Sequence, residues 1–248
     1  KSFVAGLGIA TAQFRNVATG ADAADAFRAL GGPAVLKTRK LGYDGKGQKI
    51  VRSADEASDA FSEIGGVPSI LEKFVDFDFE ASVVAARARD GSFAAYDPPK
   101  NEHENHILRR SIVPAPLSPD SVANAIGIAR TIAEALDYVG VLGVELFVCK
   151  DGTITVNEIA PRVHNSGHWT LEGCAVSQFE QHIRAVAGWP LGDPTRHSDA
   201  VMENLIGAEV EDWRRLAAER AALHIYGKRV VRPGRKMGHL TRITPRSG

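Results

Sequence analysis

Two glutamates set the first chemical constraint. Glu145 and Glu158 sit in the segments Val141 to Cys149 and Ile154 to Ile159, whose apolar, β-branched residues on either side of Asp151-Gly152 predict a hairpin. A two-residue turn at Asp151-Gly152 sets Lys150 opposite Thr153, and counting outward sets Glu145 directly opposite Glu158 on one face. Cross-strand partners have Cβ atoms about 4.5–5.5 Å apart, where like charges repel unless a cation intervenes. Magnesium, held by one or two carboxylates with its other positions left to water and phosphate, satisfies such a pair. The competing reading is a solvated pair splayed apart, and a shift of one residue in the turn would send the two carboxylates to opposite faces.

A second feature is the stretch Gly42-Tyr43-Asp44-Gly45-Lys46-Gly47-Gln48. Its glycines let backbone N–H groups approach phosphate closely, and its lysine offsets phosphate charge. It has neither the GxxxxGK[ST] spacing of a P-loop nor a helix behind it, so it reads as a hairpin over phosphates; an ordinary Asp-Gly turn accounts for the same residues. Lys37 stands in the apolar strand Pro33 to Thr38 that leads into this stretch. A lysine there needs an anionic partner or snorkels to a sheet edge.

The elements that must position these groups are mixed. Helices are predicted over Ala21 to Leu30, Asp55 to Ile64, from Ser118-Pro119 toward Gly140, over Ser177 to Ala187, and over Trp213 to Ala222. In the third of these, Val122, Ile126, Ala129, Ala133 and Leu136 form the apolar stripe. Strands are predicted at Lys49 to Arg52, Pro68 to Val75, Phe79 to Arg89 and Ser92 to Tyr96, the last two joined by Asp90-Gly91 as a type I′ turn. The fold class expected is α+β.

Composition narrows the function classes. At 248 residues, 44% hydrophobic and 24% charged, the chain has the make-up of an ordinary water-soluble protein, and no apolar run approaches the roughly 20 residues of a membrane span. Cys149 and Cys174 lack metal or disulfide spacing, so a reducing, cytoplasmic setting is expected. Net charge is zero, yet the stretch from Arg214 to Arg246 is rich in lysine and arginine with Glu219 as its sole acid. That asymmetry suits an anionic ligand, a solvated basic face or, least well given its few aromatics, nucleic acid.

In order along the chain, Lys37, the glycine stretch, Glu72-Lys73-Phe74-Val75, Glu80, Glu145 and Glu158 resemble the signature of the ATP-grasp family. The resemblance implies that adenine lies between two sheets and is read largely by backbone groups of Glu72, Lys73, Phe74 and Val75. It also implies that Lys37 meets phosphate and that Gly42, Tyr43, Asp44, Gly45, Lys46, Gly47 and Gln48 form a flexible lid. Glu80 would take the ribose hydroxyls, His103 and Asn157 would add nucleotide contacts, and Glu145 with Glu158 would hold magnesium.

The stretch Asn157-Glu158-Ile159-Ala160-Pro161-Arg162-Val163-His164-Asn165-Ser166-Gly167-His168-Trp169-Thr170, with Arg232-Pro233-Gly234-Arg235-Lys236-Met237-Gly238-His239, resembles more narrowly the ATP-grasp ligases that carboxylate 5-aminoimidazole ribonucleotide. These make carboxyphosphate from ATP and bicarbonate and pass its carboxyl group to the exocyclic amine of the ribonucleotide. By that resemblance Arg162, His164 and Asn165 hold bicarbonate and the carboxylated intermediate, Lys228 and Arg235 grip the ribonucleotide phosphate, and Tyr43 and Asp44 face the imidazole. It further implies ATP and Mg²⁺, a homodimer, and neither nucleic acid nor membrane as partner.

The expected organisation is a connection from an absent α/β domain over residues 1–30, a lid domain over 31–89 and a catalytic domain over 90–248. The absent domain would be roughly a hundred residues. Ala160 departs from the asparagine common two residues beyond the second metal glutamate. Alternatives are another ligase of the family, such as a formate-dependent glycinamide ribonucleotide formyltransferase, and a nucleotide-binding module without catalysis.

Overall fold

The computed structural model describes residues 1–40 and 47–247. Contacts divide the chain into two units, Lys1–Phe77 and Asp78–Gly248. The first runs α1 (Ser2–Gly6), β1 (Phe14–Val17), α2 (Gly20–Leu30), β2 (Ala34–Thr38), β3 (Gln48–Val51), α3 (Ala54–Glu63) and β4 (Ser69–Lys73). Thr19 and Asp22 exchange side-chain and backbone hydrogen bonds in a capping box that starts α2, and Ser53 caps α3. The strands pair antiparallel in the order β1-β4-β2-β3. Leu36 and Leu71 from the sheet pack with Ala23, Ala26, Ala57 and Phe61 of the two helices into one core.

The second unit runs β5 (Phe79–Arg87), β6 (Phe93–Ala95), β7 (Lys100–Glu104), β8 (Ile107–Val113), α4 (Pro119–Ala135), β9 (Gly140–Val148), β10 (Ile154–Ala160), α5 (Thr170–Gly173), α6 (Gln178–Ala187), β11 (Ser198–Ile206), α7 (Trp213–Ala217), β12 (Ala222–Ile225) and β13 (Lys236–Pro245). Its strands form a nine-stranded antiparallel sheet of order β10-β9-β5-β7-β8-β11-β13-β12, with β6 paired to β5. The fold is α+β. Ser118 caps α4 with Pro119 in its first turn, and Ser177 caps α6, which Gly188 ends in the left-handed region at φ 73°. Among the described residues no helix is long and apolar enough to cross a membrane.

Four expectations change. The unit boundary falls after Phe77 rather than at 89, because β5 pairs along its whole length with β9 in the large sheet; residues 14–30 likewise belong to the small unit, since β1 pairs with β4. The buried stripe of α4 is Ala125, Ala129, Ile132 and Ala133, while Leu136, the C-cap, is exposed. The helix predicted over Trp213 to Ala222 stops at Ala217, and Ala222 opens β12, recruited by its pairing with Thr241 of β13. The Asp90-Gly91 turn is a three-residue loop, Arg89-Asp90-Gly91, in which Gly91 N–H donates to Ala88 O and Gly91 adopts φ 85°. Type I′ requires positive φ at both central residues, and Asp90 is not among those residues; instead its carboxylate accepts from Ser92 N–H. Positive φ at two successive residues occurs at Asn105 and His106, which join β7 to β8.

Candidate functional site

The β9–β10 hairpin repeats that turn correction and then cancels it. Cys149 N–H donates to Thr153 O, closing a three-residue loop, with Gly152 at φ 82° and Asp151 accepting from Thr153 N–H. Ile154 then faces Val148, and continuing this register unchanged would set Asn157 opposite Glu145. A bulge between Val156 and Glu158 takes up one residue, so Glu158 faces Glu145 after all. On the other side of β9, Glu145 faces Ser82 of β5. Directly opposed residues share a face of the sheet, so Glu158, Glu145 and Ser82 line one surface.

Glu145 also meets the loop that follows β10. His164 Nε2 lies 3.0 Å from Glu145 Oε1. The His164 ring fits flat against β9 because residue 143 is glycine: a Cβ there would come within 2.8 Å of the ring. His164 Nδ1 is 2.8 Å from Ser166 Oγ, which is 2.6 Å from Ser82 Oγ. Asn101 Nδ2 donates to Ser82 Oγ at 2.9 Å, and Ser111 Oγ donates to Asn101 Oδ1 at 2.8 Å. The row Glu145-His164-Ser166-Ser82-Asn101-Ser111 therefore spans β9, β5, β7 and β8, with most of its members buried. Burial works to raise the Glu145 carboxyl, but the hydrogen bond and electrostatic pull of His164, then His103 and Lys236, outweigh it and hold the group below the usual carboxylate range.

Gln178, fully buried at the start of α6, clamps this loop. Its Oε1 accepts from His164 N–H at 2.8 Å, and its Nε2 donates to His164 O at 2.7 Å and approaches His168 Nδ1 at 3.0 Å. Asn165 exchanges two side-chain hydrogen bonds with Asn204 of β11, at 2.9 and 2.7 Å. Arg162 is exposed and donates from Nη1 to Val163 O. Glu80 pairs with His103. These arrangements bring Glu80, His103, Glu145, Glu158, His164 and Asn165 onto one unit with Asn157 at the bulge.

Lys228 Nζ donates to Lys236 O and lies 5.2 Å from the Tyr226 ring centre, while Arg235 Nη1 donates to Val230 O. Part of the basic C-terminal stretch is committed to ion pairs: Arg242 binds both Glu203 and Glu219, and Arg215 binds Asp212 and Glu219. In the small unit, Lys37 Nζ is 2.9 Å from Glu72 Oε2, so this strand lysine has a carboxylate of its own chain as partner. Lys73 N–H and Phe74 N–H donate to Gln13 O and Pro33 O. Gly42, Tyr43, Asp44, Gly45 and Lys46 lie outside the described residues.

Sequence reasoning missed Ser82, Asn101, Ser111, Ser166, Gln178 and Asn204. It also missed a group at the far end of the same sheet, where His224 of β12 faces His239 of β13. Their rings stack at 4.5 Å, Glu172 Oε1 lies 2.6 Å from His224 Nε2, and Tyr226 Oη lies 2.9 Å from His239 Nδ1. Burial, with His164, His224 and Lys236 nearby, pushes His168 down to about 4; burial, with His168 and His224, pushes His239 down to about 3.

The two opposed carboxylates beside a buried histidine and the lysine–glutamate pair of the small unit all lie within residues 2–179, which the profile of the ATP-grasp domain matches, and the chain belongs to that family. The profile of the phosphoribosylaminoimidazole carboxylase C-terminal domain matches residues 200–247. An N5-carboxyaminoimidazole ribonucleotide synthase of Brucella melitensis is 54% identical over 250 residues, covering 100% of this chain and 69% of that protein. Within the ATP-grasp proteins, the chain belongs to the N5-carboxyaminoimidazole ribonucleotide synthases.

Solved structures agree. The synthetase from Thermus thermophilus superposes with a TM-score of 0.87 at 45% identity, covering 100% of this chain and 66% of that one. The Aspergillus clavatus enzyme in complex with ADP and 5-aminoimidazole ribonucleotide superposes with a TM-score of 0.91 at 32% identity, covering 98% and 66%. The chain thus spans about two thirds of the length of these relatives.

Proposed function

We propose that this chain carries the ATP-dependent carboxylation of 5-aminoimidazole ribonucleotide to 5-(carboxyamino)imidazole ribonucleotide, a ligase step of purine biosynthesis. The observation that carries the reading is Glu145 opposite Glu158 with His164 bonded to Glu145. Relatives named for this activity, and one of them solved with ADP and the ribonucleotide, support it.

The two opposed carboxylates, both oxygen donors, fit a hard divalent cation, and Glu145 stays ionised for that purpose. Magnesium held there would offset the charge of the triphosphate. In the first half-reaction a bicarbonate oxygen attacks the terminal phosphorus of ATP, ADP leaves and carboxyphosphate forms. Arg162 offers a planar fork for bicarbonate, and Asn165, tied to Asn204, orients the same anion from the loop that His164 anchors to Glu145. In the second half-reaction the exocyclic amine attacks the carboxyl carbon, phosphate leaves and the nitrogen gives up a proton.

Lys228 and Arg235 hold the ribonucleotide phosphate, Tyr43 and Asp44 face its imidazole, and Lys37, Gly42 to Gln48, Glu72 to Val75, Glu80, His103 and Asn157 take ATP. The first unit as the lid domain and the second as the catalytic domain, the homodimer and a cytoplasmic setting belong to the same reading. The test is phosphate release from ATP with each substrate omitted in turn. Release should require bicarbonate and the ribonucleotide. Dependence on formate and glycinamide ribonucleotide instead would point to a formyltransferase-type ligase, and ATP binding without any carboxylated product would leave a nucleotide-binding module.

A further inference from the structure

The far end of the large sheet holds a second set of ligand-type side chains that the carboxylation chemistry does not use. His224 and His239 are direct cross-strand partners, so both rings project from one face, and Glu172 reaches them from α5. One ligand atom from each of the three lies within 4.8 Å of the other two. His239 is only 2% exposed, and its Nε2 is buried with no hydrogen-bond partner among the described residues; the same is true of Glu172 Oε2. Buried polar atoms are nearly always satisfied, and here a carboxylate oxygen and an imidazole nitrogen of one side-chain cluster both lack a partner among the described residues.

We propose that Glu172, His224 and His239 form a binding site for a borderline divalent transition-metal ion, with zinc the best fit. Two imidazoles and one carboxylate make a three-ligand zinc set whose fourth position is left to water. Imidazole ligands select zinc, cobalt or nickel over magnesium, which sets this site apart from the all-oxygen pair at Glu145 and Glu158. Tyr226 Oη bonds His239 Nδ1, an outer partner of the sort that fixes a metal-bound histidine, and leaves Nε2 to face the ion. Histidine χ2 is a broad torsion, so the stacked rings can turn to bring their nitrogens to bonding distance, and the ion replaces the proton now shared by His224 Nε2 and Glu172 Oε1.

The test uses the whole chain, stripped of metal and kept in excess magnesium so that oxygen-only sites are occupied. Titration with Co²⁺ should give the intense visible band of a four-coordinate cobalt site, saturating at one equivalent and abolished by Zn²⁺. Zinc at about a hundred times its dissociation constant should raise the melting temperature by about 5–10 °C. His224→Gln and Glu172→Gln, checked for folding by circular dichroism, should lose the band and the shift, while His197→Gln at an exposed histidine should keep both. Zinc-edge X-ray absorption on the wild-type chain, which needs no variant, should show two imidazoles per ion. Absence of a stoichiometric band, a band that survives both folded variants, or a zinc spectrum without imidazole scattering would overturn the site.

Discussion

Glu145 faces Glu158 only because a three-residue turn and a one-residue bulge in the same hairpin offset each other. If the pair holds the cation that ATP needs, neutralising one member should remove turnover without disturbing the sheet. Glu158→Gln is expected to lower ATP turnover by about 10²–10³-fold, the scale of losing one well-placed electrostatic group. Circular dichroism and melting temperature should stay near wild type. Unchanged turnover in the folded variant would refute the metal assignment.

Arg235 tests the ribonucleotide side. Its guanidinium spends one N–H on Val230 O, and its backbone is tied to Gly207 and Arg232. A charge-assisted contact to phosphate contributes about 1.5–3 kcal/mol, so Arg235→Ala should raise the KM for ribonucleotide by roughly tenfold to a hundredfold. The KM for ATP should change far less. Equal rises in both would place Arg235 elsewhere.

Gln178 tests the loop that carries His164. Replacing it with alanine strips partners from His164 N–H and His164 O, both held by one buried amide. Each buried group left unpaired costs about 1–3 kcal/mol, so Gln178→Ala should destabilise the chain by about 2–4 kcal/mol in a denaturant titration. A loss below about 1 kcal/mol would mean that the loop finds other partners.

The Glu203 cluster gives a pH dependence with a definite sign. Burial tends to raise its carboxyl, but Arg110 and Arg242 outweigh that and lower it below the ordinary glutamate value. A depressed folded-state value means the unfolded chain binds the proton first, so the stabilisation is complete above the ordinary value of about 4.3 and is lost as pH falls through the folded one. Unfolding measured from about pH 7 down to about pH 3 should show Glu203→Gln less stable at neutral pH and the gap narrowing below about pH 4.3. A gap constant with pH would contradict the assignment.

Much of the architecture was legible because its signals are local. Ser118-Pro119 and Ser177 mark helix starts by chemistry contained within a few residues. The carboxylate pair was reached through a turn one residue too short, and the unforeseen bulge at Asn157 restored the count. What stayed hidden depends on partners distant in sequence. Ser82 and Ser166 are ordinary residues until the sheet and loop bring them together 84 positions apart. Asn204 meets Asn165 through a strand whose pairing no motif announces. Ala222 left its expected helix because an edge strand of the large sheet could use it.

The buried row from Ser111 to Glu145 has a directional grammar. Ser166 N–H also points at His164 Nδ1, at 3.4 Å, and an amide can only give. Nδ1 must then receive, Nε2 must carry the hydrogen toward Glu145, and each hydroxyl upstream must hand its own hydrogen forward. The protons in this row are thus arranged like toppled dominoes. A hydrogen on His164 Nδ1 would face that of Ser166 N–H and force the Ser166 and Ser82 hydroxyls to reverse, so the loop and the strand beside it keep the ring in one tautomer.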